Sequence, residues 1–271
     1  MMRPIFRVAR ATFHEAWRRR FLNGILIFAI LIIGSSWVFA YLQPGAELQM
    51  IIDIGLGSIR FFGMLIAVFL GTRLIPDEIE RRTVHTILAK PVSRAQFVFG
   101  KFLGGVATIA VNLVVMGIAF YIVFAIKAPQ FAAAKPEDAL IFAAMYSNIA
   151  KAIVLAFFEV WLVLGIAVVA STLFSWVLSV IVTFVIYFVG QMADFFQQLS
   201  DPERGASKLA QILLGTLYRV LPHFEIFDIR EAILQGTYTP WSTLLQIIGQ
   251  GLAYLVVILL IGYLVFNERE V

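Results

Sequence analysis

Long apolar runs separated by short charged segments dominate this sequence. Five of them are nearly free of charge: Phe21 to Leu42, Phe61 to Thr72, Phe102 to Ile126, Ala152 to Ala193 and Thr243 to Phe266. A helix needs about 20 mainly apolar residues to cross the hydrocarbon core of a bilayer. The runs therefore predict membrane-spanning helices rather than the core of a soluble domain.

Two of these runs do not match the length of one span as they stand. The second becomes long enough if it begins near Ile54 and includes Arg60. The fourth would extend about 63 Å as a single helix, twice the thickness of the bilayer core, so it must fold back. Its polar cluster of Ser171, Thr172 and Ser175 marks the turn. The pattern predicts an all-α integral membrane bundle of six transmembrane helices, forming one domain over residues 1–271.

Segments outside these runs also show patterns. Residues 1–20 combine an apolar stripe with six arginines, which predicts an amphipathic helix on the membrane surface. Residues 127–148 are expected to form an outer loop. Residues 207–222 repeat apolar side chains at helical spacing as far as Pro222, which predicts a short helix at the outer leaflet.

The composition agrees with a membrane protein and adds an orientation. The chain is 61% hydrophobic and only 14% charged, beyond what a soluble core requires. Residues 1–20 and 73–101 carry six Lys or Arg each and Arg269 adds one, so 13 of 21 positive charges fall on one side. By the positive-inside rule both termini are cytosolic, in a bacterial-type plasma membrane. This distribution explains the basic charge without nucleic acid. The lack of cysteine excludes disulfides and thiolate chemistry.

One segment, residues 75–101, holds eight of the 38 charged side chains between two apolar runs. Pro76 suits the first turn of a helix, where the acidic residues that follow are also favoured. The pattern predicts a helix over residues 77–89 that stops before Pro91. Ser93 then has the position of an N-cap for the helix that enters the third span.

This segment resembles the loop motif of ABC-2 type permeases, the membrane subunits of type-2 ABC exporters. The matching residues are Glu78, Glu80, Thr83, Leu88, Pro91, Val92, Ser93, Arg94, Gly100 and Lys101. Residues 221–228 resemble the outer stretch that precedes the last span in that family. Arg82 departs from the family pattern, which commonly has glycine there, and this difference concerns the packing of the first turn of the loop.

The resemblance implies that the loop is a cytosolic coupling helix that seats against a separate ABC ATP-binding subunit. The residues expected at that contact are Asp77, Glu78, Glu80, Arg81, Thr83, Leu88, Pro91, Ser93 and Arg94. ATP and Mg would enter through that partner, and this chain would bind no cofactor. Its Gly100-Lys101 pair is followed by Phe102 and lacks a phosphate-cradling loop, so the chain is not expected to be an ATPase itself.

The same resemblance implies an exporter assembled from two permease protomers, as a homo- or heterodimer, embedded in membrane lipid. Spans one, two and five are expected to face the partner protomer. The small residues Gly34, Ser35 and Ser36 would allow close approach of helices there.

Three other functions remain open from the sequence. Glu159, an acid within a span, would suit a proton-coupled secondary transporter, although no internal repeat supports one. An intramembrane enzyme would need catalytic groups that the spans lack, and a non-transporting assembly subunit is the third alternative. A metal site is a further hypothesis, set against simple anchoring at the membrane surface, for His223, Glu225 and Asp228.

Two intramembrane charges, Arg60 and Glu159, lie at similar depths. Measured from Ile54, Arg60 is about 9 Å deep, and measured from Ala150, Glu159 is about 13 Å deep. Charges inside a membrane usually pair or face a cavity. We therefore expect the two to meet on the protein-facing side of the bundle. The alternative is that Arg60 snorkels to the headgroups and Glu159 bonds, protonated, to a polar neighbour such as Asn112.

Overall fold

The computed structural model describes residues 2–77, 94–132, 139–200 and 207–268, and this part of the chain contains helices and no strand. A single 3-10 turn covers Glu225–Phe227. The α-helices are, in chain order, α1 (Met2–Trp17), α2 (Arg20–Ala40), α3 (Glu47–Gly71), α4 (Arg94–Ala132), α5 (Ala139–Leu173), α6 (Trp176–Gly190), α7 (Ala193–Leu199), α8 (Lys208–Val220), α9 (Arg230–Leu234) and α10 (Trp241–Glu268).

The predicted membrane bundle is confirmed. Five of the described helices are long and apolar enough to span a membrane, and the pair α6 and α7, bent by 57°, makes a sixth if it is one span. The long fourth run folds back where its polar cluster predicts, because α5 ends at Leu173 and α6 begins at Trp176. The hydroxyl of Ser179 closes this turn by donating to the carbonyl oxygen of Ala170 at 3.0 Å.

Helix boundaries differ from the prediction mainly on one side of the bundle. Most of the loop predicted over residues 127–148 is helical: α4 continues to Ala132 and α5 already begins at Ala139. Alanine-rich sequence favours helix, so both helices continue past their apolar runs. The short helix predicted within residues 207–222 is present, since α8 runs from Lys208 to Val220 and ends before Pro222.

Helices α3 and α5 form the centre of the bundle and are buried over most of their length, whereas α2 and α10 lie outside them. Close approach at the centre depends on a glycine, because a Cβ added at Gly71 would lie 2.6 Å from the Cβ of Ala167. On α2, Ser36 is fully buried within the chain, so the expectation that it faces a second protomer is wrong. Gly34 and Ser35 remain partly accessible.

The N-terminal amphipathic helix exists, but part of its apolar stripe packs on α4 instead of facing lipid. A Cβ added at Gly104 of α4 would come within 2.5 Å of Thr12 Cβ and 2.6 Å of the carbonyl oxygen of Ala9. A Cβ added at Gly100 would likewise come too close to the side chain of Val8. Phe6 stays 74% exposed and Trp17 46% exposed, which leaves these apolar side chains of α1 for the membrane surface.

Candidate functional site

The predicted coupling segment lies largely outside the described residues. Asp77 is described in full, and Arg94 is described as the first residue of α4. The helix predicted over 77–89 and the remaining contact residues fall in the stretch 78–93: Glu78, Glu80, Arg81, Thr83, Leu88, Pro91 and Ser93. The structure therefore describes this segment at its two ends, Asp77 and Arg94.

The first end of the segment is anchored by an ion pair. Asp77 accepts a hydrogen bond of 2.7 Å from Nη2 of Arg19, which lies in the short link between α1 and α2. The same Nη2 donates to Glu15 of α1 at 3.1 Å. On the other side of Glu15, Nζ of Lys101 in α4 lies 3.8 Å from its second carboxylate oxygen. These four charges join the end of α1, the start of the loop and α4 into one cluster.

The predicted intramembrane pair of Arg60 and Glu159 is present in the structure. Nε of Arg60 donates to Oε2 of Glu159 at 2.7 Å, and Nη2 donates to Oε1 at 2.9 Å. The Arg60 side chain is 10% exposed and that of Glu159 is 1% exposed. The alternative partner Asn112 instead donates to the carbonyl oxygen of Thr108 at 2.8 Å.

Arg60 and Glu159 meet at similar depths, as predicted, although both of their helices begin earlier than predicted. Helix α3 starts at Glu47, seven residues before Ile54, and α5 starts at Ala139, eleven residues before Ala150. Counted from the starts of the apolar spans at Glu47 and Ala144, Arg60 lies 13 residues in and Glu159 lies 15 residues in, so the two remain at similar depths.

Further partners complete this network, and the sequence did not indicate them. Oε1 of Glu159 accepts hydrogen bonds from the hydroxyl of Tyr187 at 3.2 Å and from Nε2 of Gln191 at 2.8 Å. Nη1 of Arg60 donates to Asp228, which lies between α8 and α9. Tyr187 in α6 and Gln191, which caps its C-terminus, lie one turn apart, and this spacing is a signal that could have placed them on one face.

Asp228 in turn lies between two guanidinium groups. Nη2 of Arg230 donates to its Oδ2 at 2.5 Å, and Nη1 of Arg230 lies 3.9 Å from Asp53 at the start of α3. Burial alone would raise the pKa of Asp228, but the hydrogen bonds from Arg230 and the charge of Arg60 outweigh burial and lower it. Asp228 is therefore an anion that fixes the outer segment to α3.

The neighbouring acid Glu225 behaves differently. Its Oε1 accepts a hydrogen bond of 2.6 Å from the backbone N–H of Asp194 at the start of α7. Burial raises the pKa of Glu225 to about 7, and the nearby carboxyl of Asp194 acts in the same direction. With Asp228 held by arginines and Glu225 by a backbone amide, the metal hypothesis gains no support. The described residues hold no group of three His, Cys, Asp or Glu close enough for a metal.

A bundle of this kind, with long apolar helices and few buried charges, defines an all-α integral membrane protein. The chain belongs to the ABC-2 family of transporter proteins, whose family model matches residues 9–271. It is therefore a multi-pass membrane protein of the ABC transporter permease class.

A curated relative agrees with this assignment. The chain is 31% identical over 140 residues to the "Probable ABC transporter permease protein NosY" of Stutzerimonas stutzeri. The match covers 45% of this chain and 51% of that protein, so the chain spans about half the length of the curated relative it matches.

Proposed function

We propose that this chain is the membrane-spanning subunit of an exporter that moves its substrate outward with ATP hydrolysed by a separate subunit. The observation that carries the proposal is the hydrogen bond between Arg19 and Asp77 at 2.7 Å. It fixes the first residue of the coupling segment, residues 77–94, to α1. Because α1 packs closely on α4, a force applied to this segment reaches both helices together.

The charged cluster inside the bundle would supply the second half of the mechanism. There Arg60 holds α3, α5 and the outer segment near Asp228 together through its carboxylate partners. Movement of α1 and α4 as one unit against this clamped group would open and close a path between the ends. ATP and Mg belong to the partner subunit in this scheme.

Assembly and orientation follow from the sequence and the family. Both termini face the cytosol of a bacterial-type inner membrane, because 13 of the 21 Lys and Arg lie on that side. Six spans are half of the usual exporter complement, so two permease protomers, identical or different, would combine with two ATP-binding subunits.

The proton-coupled alternative is less well supported by the geometry of Glu159. Its carboxylate is occupied by Arg60, Tyr187 and Gln191, which makes it a fixed counter-ion within the bundle. A proton carrier would need a carboxyl group that can exchange partners during transport.

Co-purification tests the proposal. The tagged chain, expressed with its neighbouring reading frames, should bring down a protein that carries ATP-binding motifs. Reversing Glu78 and Glu80 to Lys should release that protein while the variant inserts at the wild-type level. The control is Glu231→Lys, an exposed acid of α9 at the other end of the bundle, which should retain it. Capture of no ATPase by the wild-type chain would contradict the function, and retention by the loop variant would contradict the contact.

A further inference from the structure

A basic cavity lies where α1 leads into α2, at the end of the bundle that carries Asp77. Its volume is about 490 Å³, and its polar lining comes from Arg19, Arg20, Arg73 and Asp77. Aromatic rings form much of the remaining wall: Phe21, Phe69 and Trp176. The cavity therefore combines charge with apolar surface at the level where a membrane helix begins.

Among the described residues, the positive charges in this cavity outnumber the negative ones. Asp77 neutralises one guanidinium group, because Arg19 donates to it at 2.7 Å. Among the described residues, Arg20 and Arg73 have no carboxylate partner. Arg73 instead stacks on Trp176, with its Cζ 4.4 Å from the ring centroid. Stacking holds the guanidinium plane in place and leaves its N–H groups free for an anion.

An apolar groove continues from the cavity between α2 and α3. Its volume is about 510 Å³, and Phe21 lines both spaces. The α3 wall carries Phe61 and Leu65, with Phe69 one turn further on in the cavity. These side chains extend over about 12 Å at 1.5 Å per residue, so the groove runs into the hydrocarbon region.

The α2 wall of this groove contains a glycine whose space is open. A Cβ added at Gly24 would meet no atom within 4 Å, in contrast to the glycines that pack against neighbouring helices. Its small size therefore serves no contact within the chain, and it keeps the groove wide beside Phe28 and Ile25.

We propose that the cavity and groove together bind one anionic phospholipid. The phosphate lies between Arg20 and Arg73, because guanidinium groups bind phosphate oxygens through paired hydrogen bonds. One acyl chain follows the groove past Gly24. Two unneutralised arginines favour a lipid with net negative charge over a zwitterionic one, whose own ammonium group cancels the phosphate.

Native mass spectrometry of the purified, delipidated full chain, titrated with phosphatidylglycerol, tests the headgroup site. The wild type should bind phosphatidylglycerol in preference to phosphatidylcholine. The double variant Arg20→Gln/Arg73→Gln should bind phosphatidylglycerol at least about tenfold more weakly, because each basic residue near an anionic lipid surface adds to the binding free energy. The matched control Arg7→Gln/Arg10→Gln removes the same charge from exposed positions of α1 and should bind like the wild type. Equal loss in both double variants, or no preference for phosphatidylglycerol, would overturn the proposal.

The groove has its own test. Gly24→Leu should fold normally, because its site is open, yet it should fill the groove and weaken phosphatidylglycerol binding. Gly34→Leu, at the other open glycine of α2, is the control and should leave binding unchanged. Glycerol phosphate, which has the headgroup anion without acyl chains, should not displace the lipid. Displacement by glycerol phosphate, or a Gly24→Leu variant that alters protomer association with unchanged lipid binding, would overturn the assignment of the groove to lipid.

Discussion

At the scale of single residues, Arg60 and Glu159 are unequal partners. Arg60 contacts two carboxylates, those of Glu159 and Asp228. Among the described residues, Glu159 has Arg60 as its only cation, and its other donors are the neutral Tyr187 and Gln191. Loss of the arginine therefore strands a buried anion, whereas loss of Glu159 leaves Arg60 with Asp228.

This asymmetry predicts an order of stabilities. Arg60→Met should destabilise the protein most, by about 3 to 5 kcal/mol, because it leaves a buried charge without its partner. Glu159→Gln should cost less, and the double variant should be more stable than Arg60→Met alone. Thermal unfolding of the purified protein in detergent measures the order.

The matched control for this series is Arg219→Met, at the exposed end of α8, which should change the unfolding temperature little. An unfolding temperature for the double variant at or below that of Arg60→Met would show that the pair does not act as a unit.

Glu225 predicts a dependence of stability on pH. Its folded pKa of about 7 is above the ordinary value of 4.5, so the folded state favours the protonated form. Its contribution is complete below the ordinary pKa and is lost as the pH rises through about 7. Glu225→Gln, which mimics the protonated carboxyl, should flatten the fall in unfolding temperature between acidic and mildly alkaline pH.

Glu231→Gln is the control for this pH series, since it removes an exposed acid from the same outer region. Its pH profile should follow that of the wild type. Parallel profiles for Glu225→Gln and the wild type would contradict the assignment to Glu225.

The sequence predicted part of this residue-level picture for a physical reason. The membrane fixes the depth of each intramembrane charge, and this restricts which charges can meet, so Arg60 and Glu159 could be paired without coordinates. Asp228 lies outside the spans, where no such restriction applies. Its contact with Arg60, across 168 residues, depends on how the outer segment folds back onto the bundle.

At the scale of helices, α1 and α4 form a unit that depends on glycine. Gly104→Ala would place a Cβ within 2.6 Å of a backbone oxygen of α1, which cannot move as a flexible side chain can. Overpacking of this kind costs about 1 to 3 kcal/mol, so α1 should separate from α4. Faster cleavage by trypsin at the arginines of residues 7–20 would report the separation.

Gly34→Ala provides the comparison, because a Cβ there meets nothing within 4 Å. It should digest at the wild-type rate and be slightly more stable through higher helix propensity. A Gly104→Ala variant that resists trypsin as the wild type does would show that α1 is not held by this contact.

The helices themselves were predictable from the sequence, whereas several of their ends and the packing of α1 on α4 were not. The turn between Leu173 and Trp176 was predictable because the fourth apolar run is too long for one span of the bilayer. The end of α8 was predictable because Pro222 disfavours a continuing helix. Residues 127–132 and 139–148 were predicted as loop but are helical, because polarity marks the membrane boundary and does not by itself end a helix. The apolar stripe of α1 could pack on lipid or on a protein surface. The glycines at 100 and 104 are the sequence feature that favours packing on a protein surface.

At the scale of the whole molecule, the two charged clusters lie at different levels of the bundle: Asp77 follows the end of α3, whereas Arg60 lies near the middle of that helix. Arg19 and Asp77 join the loop to α1 and α4 at the first level, and Arg60 joins α3, α5 and the outer segment at the second. The account requires that ATP hydrolysis in the partner subunit acts on the first cluster.

The central claim is that residues 77–94 couple this permease to an ATP-binding subunit, and ATP turnover of the reconstituted complex measures it most directly. With the wild-type chain, vanadate-sensitive hydrolysis should exceed that of the ATP-binding subunit alone. With Glu78→Lys/Glu80→Lys it should fall to that of the subunit alone, while Glu231→Lys remains at the wild-type rate. Full turnover with the reversed loop charges would contradict the account.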